Sequence, residues 1–246
     1  MVLGGRIKEY FRFERKEVTG ILVSVILIAF ILSFKEWGGE KFDIAVGLVN
    51  LAVAFLIVFL GFLVHVSAQK INALRLGYVA EFQYSMYGLI GGLILCFASN
   101  GYLFFLGTGE VRIRHMLRMR LGTFRYGLNY WEYAKISFVG PMANIFLAVF
   151  FKFFYATGSP ILEKAVLINI FIAIFSMLPI PFNDGLNIFF GSKPFYVFGF
   201  GTILGISLSL IFMEGILLSI MLGLFIGVLI VFLFFVIFDK GLEINY

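Results

Sequence analysis

The chain is poor in the residues that carry most soluble enzyme chemistry. It has one cysteine, Cys96, and two histidines, His65 and His115, among 246 residues. A single thiol excludes an intramolecular disulfide and a thiolate metal cluster. The two histidines lie far apart in sequence, which excludes a His-x-x-x-His metal pair. Charged residues make up only 13%, against about 25% in ordinary soluble domains. There are five prolines, no internal repeat, no low-complexity tract and no long polar insert. The net charge of +5 does not indicate nucleic acid, because in so apolar a chain the placement of charge matters more than its sum.

What the chain has is apolar length. Hydrophobic residues make up 61% and phenylalanine occurs 33 times. Several runs are long enough to span a bilayer, so the sequence predicts an all-α polytopic protein in one membrane domain, 1–246. A basic, amphipathic N-terminal segment, 1–17, precedes a transmembrane core, 18–238, and a short tail, 239–246. The first apolar run reads as a retained span rather than a cleaved leader. Six spans are expected, near 18–34, 44–69, 136–155, 162–178, 196–213 and 216–238, with Gly77 ending the helix that continues from the second. The run 87–106 is apolar enough to cross but is interrupted by Gly91-Gly92 and Ser99-Asn100-Gly101. It precedes the basic cluster Arg112, Arg114, Arg118, Arg120 and Arg125. A crossing would put that cluster opposite the basic N-terminus, against the positive-inside rule. The run is therefore read as a re-entrant hairpin buried in protein. Val111 and Ile113 alternate with Arg112 and Arg114, which suggests a short extended piece.

With six spans both termini share a side, and of the basic residues only Lys35, Lys41, Lys152 and Lys164 lie elsewhere. That side is expected to be the cytoplasm, and the membrane the plasma membrane of a prokaryote. His65 and Asp184 then lie near the same face, each at the end of an apolar run. Such a pair can hold a metal, but an ordinary helix-end histidine and an Asn-Asp-Gly turn would look alike. The five arginines read first as a membrane anchor, with anionic lipid contact as the alternative. Gly223-Leu224-Phe225-Ile226-Gly227 reads as close helix packing within the chain rather than dimerisation.

Three segments carry a resemblance. His65-Val66-Ser67-Ala68-Gln69-Lys70 lies where a zinc peptidase would have His-Glu-x-x-His. Gly140-Pro141-Met142-Ala143-Asn144 fits Gly-Pro-x-x-Asn, and Leu178-Pro179-Ile180-Pro181-Phe182-Asn183-Asp184-Gly185 fits Leu-Pro-x-Pro-x-x-Asp-Gly. In these segments the chain resembles the site-2 protease family of intramembrane zinc metallopeptidases, especially its small archaeal-type members. The resemblance implies that family's helical bundle, with His65 as first ligand, Asp184 as third and Asn144 facing the site. The second ligand and the general base have no counterpart. Val66 cannot accept a proton, and Gln69 offers only a neutral amide oxygen, a poor match for zinc. Loss of the base alone removes about 10²–10⁴-fold of rate.

The expectation is a pseudoprotease that binds no cofactor and holds transmembrane or unfolding segments of partner proteins. The alternative is an active zinc endopeptidase with altered ligands, using His65 and Asp184. A transporter or channel would need a polar path that the spans hardly supply.

Overall fold

The computed structural model describes residues 3–38, 41–116, 129–155 and 158–243, from residue 238 on by backbone alone. In order the elements are α1 (Leu3–Tyr10), α2 (Arg15–Ser33), α3 (Ile44–Leu76), β1 (Tyr78–Gln83), α4 (Met86–Ala98), β2 (Glu110–His115), α5 (Tyr130–Phe154), α6 (Pro160–Ser176), α7 (Asp184–Gly191), α8 (Lys193–Phe212) and α9 (Ile216–Glu243).

Local chemistry sets the helix ends. Asp43 starts α3 by accepting from the Ala45 and Val46 amides at 2.8 and 3.2 Å, satisfying two of the donors a helix leaves free. Gly77 ends it at φ +89°, a left-handed conformation that suits glycine. Ser192 starts α8 by accepting from the Phe195 amide. Among the described residues five helices, α2, α3, α5, α8 and α9, are long and apolar enough to cross a membrane, so the chain is an all-α, multi-pass membrane protein. α6 has 17 residues, about 25 Å of rise, the lower limit for a span.

Two elements depart from the expected pattern. The linker after Gly77 forms β1, which pairs antiparallel with β2 in the register Tyr78↔His115 to Gln83↔Glu110. β2 includes the extended piece expected at 111–114; β1 was not expected. Asp184, expected in a loop, is the first residue of α7. The Asn183 amide reaches back to the Phe175 carbonyl at the end of α6, 2.9 Å away. A Cβ at Gly185 would overlap the Met177 carbonyl. The Asn-Asp-Gly run therefore packs α7 directly onto the end of α6 instead of making a free turn.

The sheet joins both ends of the segment 84–109. α4 runs out, the chain turns at Asn100 and Gly101, both with positive φ, and the irregular return segment lies against α4 where Gly92 meets the Phe105 carbonyl and Gly107 meets Gly88. At 13 residues, α4 rises about 20 Å, less than the roughly 30 Å of hydrocarbon.

A buried ion pair ties the N-terminal part to this sheet. The Lys70 ammonium donates to Glu17 at 2.9 Å, to the Ala80 carbonyl at 2.9 Å and to the Arg12 carbonyl at 3.0 Å. Glu17 also accepts from the Phe82 amide at 2.9 Å. Each charge is compensated, as a buried pair requires, and the Ala80 carbonyl and Phe82 amide of β1 are both engaged. At the other end, Gly223 lies against Ile206 and Gly227 against Thr202 so closely that a Cβ would overlap them. The small-residue pattern therefore serves α8–α9 packing within the chain.

Candidate functional site

His65 and Asp184 do meet. α3 presents the imidazole from its basic, C-terminal part, five residues before Lys70, and α7 presents the carboxylate from its first turn, where the helix dipole favours negative charge. His65 Nε2 lies 2.9 Å from Asp184 Oδ2, and His65 Nδ1 lies 2.6 Å from Asn144 Oδ1 on α5. All three side chains are buried. The proton positions follow from the neighbours. Asn144 Nδ2 donates to the Gly61 carbonyl at 3.2 Å and to Asn169 Oδ1 at 3.1 Å. Its Oδ1 is therefore the acceptor, and His65 Nδ1 carries a hydrogen. One proton then lies between Nε2 and the Asp184 carboxyl, since two bare acceptors would not approach to 2.9 Å. Burial pushes the Asp184 carboxyl above the usual range, opposed by His65, by the Gln69 amide and by the Val111 backbone amide beside it.

Gln69 has a clear local partner. Pro141, inside α5, has no N–H, so the carbonyl four residues earlier, that of Ser137, loses its helical donor. Gln69 Nε2 takes that carbonyl at 3.2 Å. Glycine is required next to the proline, because a Cβ at 140 would overlap His65 Nε2 and come within 2.6 Å of Gln69 Nε2. The Gly-Pro-x-x-Asn segment thus acts as one surface: Gly140 gives clearance, Pro141 frees a carbonyl and Asn144 orients the histidine. Val66 does not face this centre. It is fully buried in the apolar cluster that includes Val25, Ile28 and Phe62.

The donor set does not fit a catalytic zinc ion. Catalytic zinc takes three protein ligands and a water; here His65 and Asp184 supply two such donors, and Gln69 beside them offers only a neutral amide oxygen. Among the described residues, no three His, Cys, Asp or Glu side chains converge as a metal site. Two buried oxygens nevertheless make no close hydrogen bond, Gln69 Oε1 and Asp184 Oδ1.

His115 does not join the centre; its ring packs on Tyr78, with centroids 4.9 Å apart. Arg112 and Arg114 lie exposed on β2, Arg112 3.6 Å from Glu110 and Arg114 paired with Glu81. Arg118, Arg120 and Arg125 lie outside the described residues.

Sequence reasoning passed over Asn169, Ser137, Glu110, Tyr133 and Asn187. Asn169 had a signal, a lone amide in the middle of an apolar helix. Glu110 had none. Its carboxyl is raised by burial, with the nearby Asp184 charge adding to the push and Asn187 and Arg112 opposing it.

No family model and no solved structure matches the chain. A protein of Methanocaldococcus jannaschii that bears the name "putative zinc metalloprotease" is 33% identical over 181 residues, covering 71% of this chain and 84% of that protein.

Proposed function

Since the chain belongs to the zinc-metalloprotease-like family of that archaeal relative, we propose that it is a non-catalytic member built on the site-2 protease plan. It would hold transmembrane or unfolding segments of partner proteins at its polar centre. The observation that carries this reading is the contrast within one site. His65, Asn144 and Asp184 converge, while Val66 faces apolar packing and Gln69 satisfies a backbone carbonyl. A segment that unwinds within a membrane exposes amide and carbonyl groups that lipid cannot satisfy. Buried amides and carboxylates at depth offer partners for them.

The topology belongs to the same proposal. Six spans, a re-entrant 87–106 segment and cytoplasmic termini in a prokaryotic plasma membrane agree with the charge distribution, and the pairing of β2, which follows that segment, with β1, which precedes it, supports the re-entrant reading. Arg112 and Arg114, exposed on β2, would meet anionic headgroups on that side.

The test uses the full chain in nanodiscs and two labelled transmembrane peptides, one an uninterrupted leucine helix and one broken by a central Gly-Pro pair. The broken peptide is expected to bind, the intact one to bind at least about tenfold more weakly, a difference of about 1.4 kcal/mol. Equal binding, or none, would remove the client-binding reading.

The two oxygens without a close hydrogen bond favour a second reading, an active zinc endopeptidase in which Gln69 Oε1 joins His65 and Asp184. Metal content separates the two.

A further inference from the structure

We infer that the start of β2 is a strap that closes the His65–Asp184 centre, tied down by Tyr133 from α5 and Asn187 from α7. α7 presents Asp184 and Asn187 three residues apart, on one face. Asn187 Nδ2 donates to Glu110 Oε2 at 3.4 Å. From the other side, the Tyr133 hydroxyl donates to the Val111 carbonyl at 2.6 Å. The Val111 main chain is thus held by α5 and the Glu110 side chain by α7, where the Val111 amide lies beside the Asp184 carboxyl.

The consequence is a shut centre. His65 is 5% exposed, Asp184 1% and Gln69 not at all. The strap belongs to a two-stranded sheet, a unit that is marginal without support. Its support is the two polar ties and the packing of Val111 and Ile113 with Ala73 and Ile136. Its root is fixed, because Gly109, at φ +90°, lies against the Gln83 carbonyl and Phe82. With Gly109 held at one end and His115 packed on Tyr78 at the other, opening lifts the Glu110–Val111 stretch between them. The inference concerns access alone and holds whatever enters the centre.

The chain has only two histidines, which makes the test clean. Diethylpyrocarbonate acylates imidazoles, and mass spectrometry of the intact, detergent-solubilised chain reads His65 and His115 separately. In the unaltered protein His65 should react far more slowly than His115. Tyr133→Phe with Asn187→Leu removes both ties and should speed His65 about tenfold, from two hydrogen bonds of modest net strength, while His115 stays within about twofold. Unchanged His65 labelling would overturn the strap, and so would equal acceleration at both histidines, which marks general loosening. A second variant closes the strap instead. Glu110→Cys and Asn187→Cys, made with Cys96→Ser and bridged by a short bis-methanethiosulfonate, should slow His65 labelling severalfold, with recovery on reduction. Labelling that ignores the bridge would also overturn it.

Discussion

Gln69→His is expected to give a chain that takes up about one zinc ion per molecule where the parent takes up little. Positions 65 and 69 share a helix face, so the new imidazole stands one turn along α3 from His65. Both side chains already lie against Gly140, where a Cβ would overlap them, so the new ring stays on the side of α3 that faces Asp184. Asp184, already 2.9 Å from His65 Nε2, supplies the carboxylate, and the set becomes two imidazoles and a carboxylate with an open fourth position. The substitution also removes the donor that satisfies the Ser137 carbonyl, at a cost of about 1–3 kcal/mol. A third strong ligand should still raise zinc affinity by at least about 100-fold, or 2.7 kcal/mol. Val66→Glu should not help. It places a carboxylate in the apolar cluster with Val25 and Ile28, where an unpaired charge is strongly disfavoured. The measurement is zinc per chain after dialysis, compared with the parent. If Gln69→His retains no more zinc than the parent, the centre is not an inherited metal geometry.

Asn144→Leu should be the most damaging single change to the folded state. Asn144 joins α3 to α6 through three contacts: it accepts from His65 and donates to the Gly61 carbonyl and to Asn169 Oδ1. Leucine fills a similar volume but strands a donor on His65 and an acceptor on Asn169 in the protein interior, while the Gly61 carbonyl keeps its helical donor and loses only the extra bond. Interhelical hydrogen bonds in membrane proteins contribute about 0.6–1.7 kcal/mol each. Together the loss should be about 2–4 kcal/mol, and the unfolding midpoint should fall by roughly 5–15 °C. Asn169→Ala should cost less, because Asn169 makes one contact to Asn144 and one within its own helix, to the Ala165 carbonyl. Equal midpoints for the parent and Asn144→Leu would mean that the polar ladder contributes no stability.

The spans were legible because length and apolarity decide them. α2, α3, α5, α8 and α9 fall where the long apolar runs stand, and Gly77 ends α3 as glycine does. The meeting of His65, Asn144 and Asp184 was legible only through the three motifs, since no spacing in the chain relates α3 to α7. α7 was hidden because Asn-Asp-Gly has the local chemistry of a turn; tertiary contact of Gly185 and Asn183 with the end of α6 turned it into a helix start. β1 alternates between buried and partly exposed residues, but its pairing with β2 crosses the whole α4 segment. Gln69 was legible as a missing ligand and not as a partner for Ser137, which follows only when Pro141 is seen facing it. Glu110, Tyr133 and Asn187 come from three elements, and nothing in the sequence joins them.

In the proposed function the family's metal centre has become a hydrogen-bonded clasp. The zinc content of the purified, unaltered chain, measured by elemental mass spectrometry with His65→Ala as the control, tests this most directly. A hydrogen-bonded clasp should carry less than about 0.1 zinc per chain, unchanged by the substitution, because without a third strong ligand the centre lacks the binding energy of a protein zinc site. About one zinc per chain, lost in His65→Ala, would contradict it and restore the reading of an active peptidase with altered ligands.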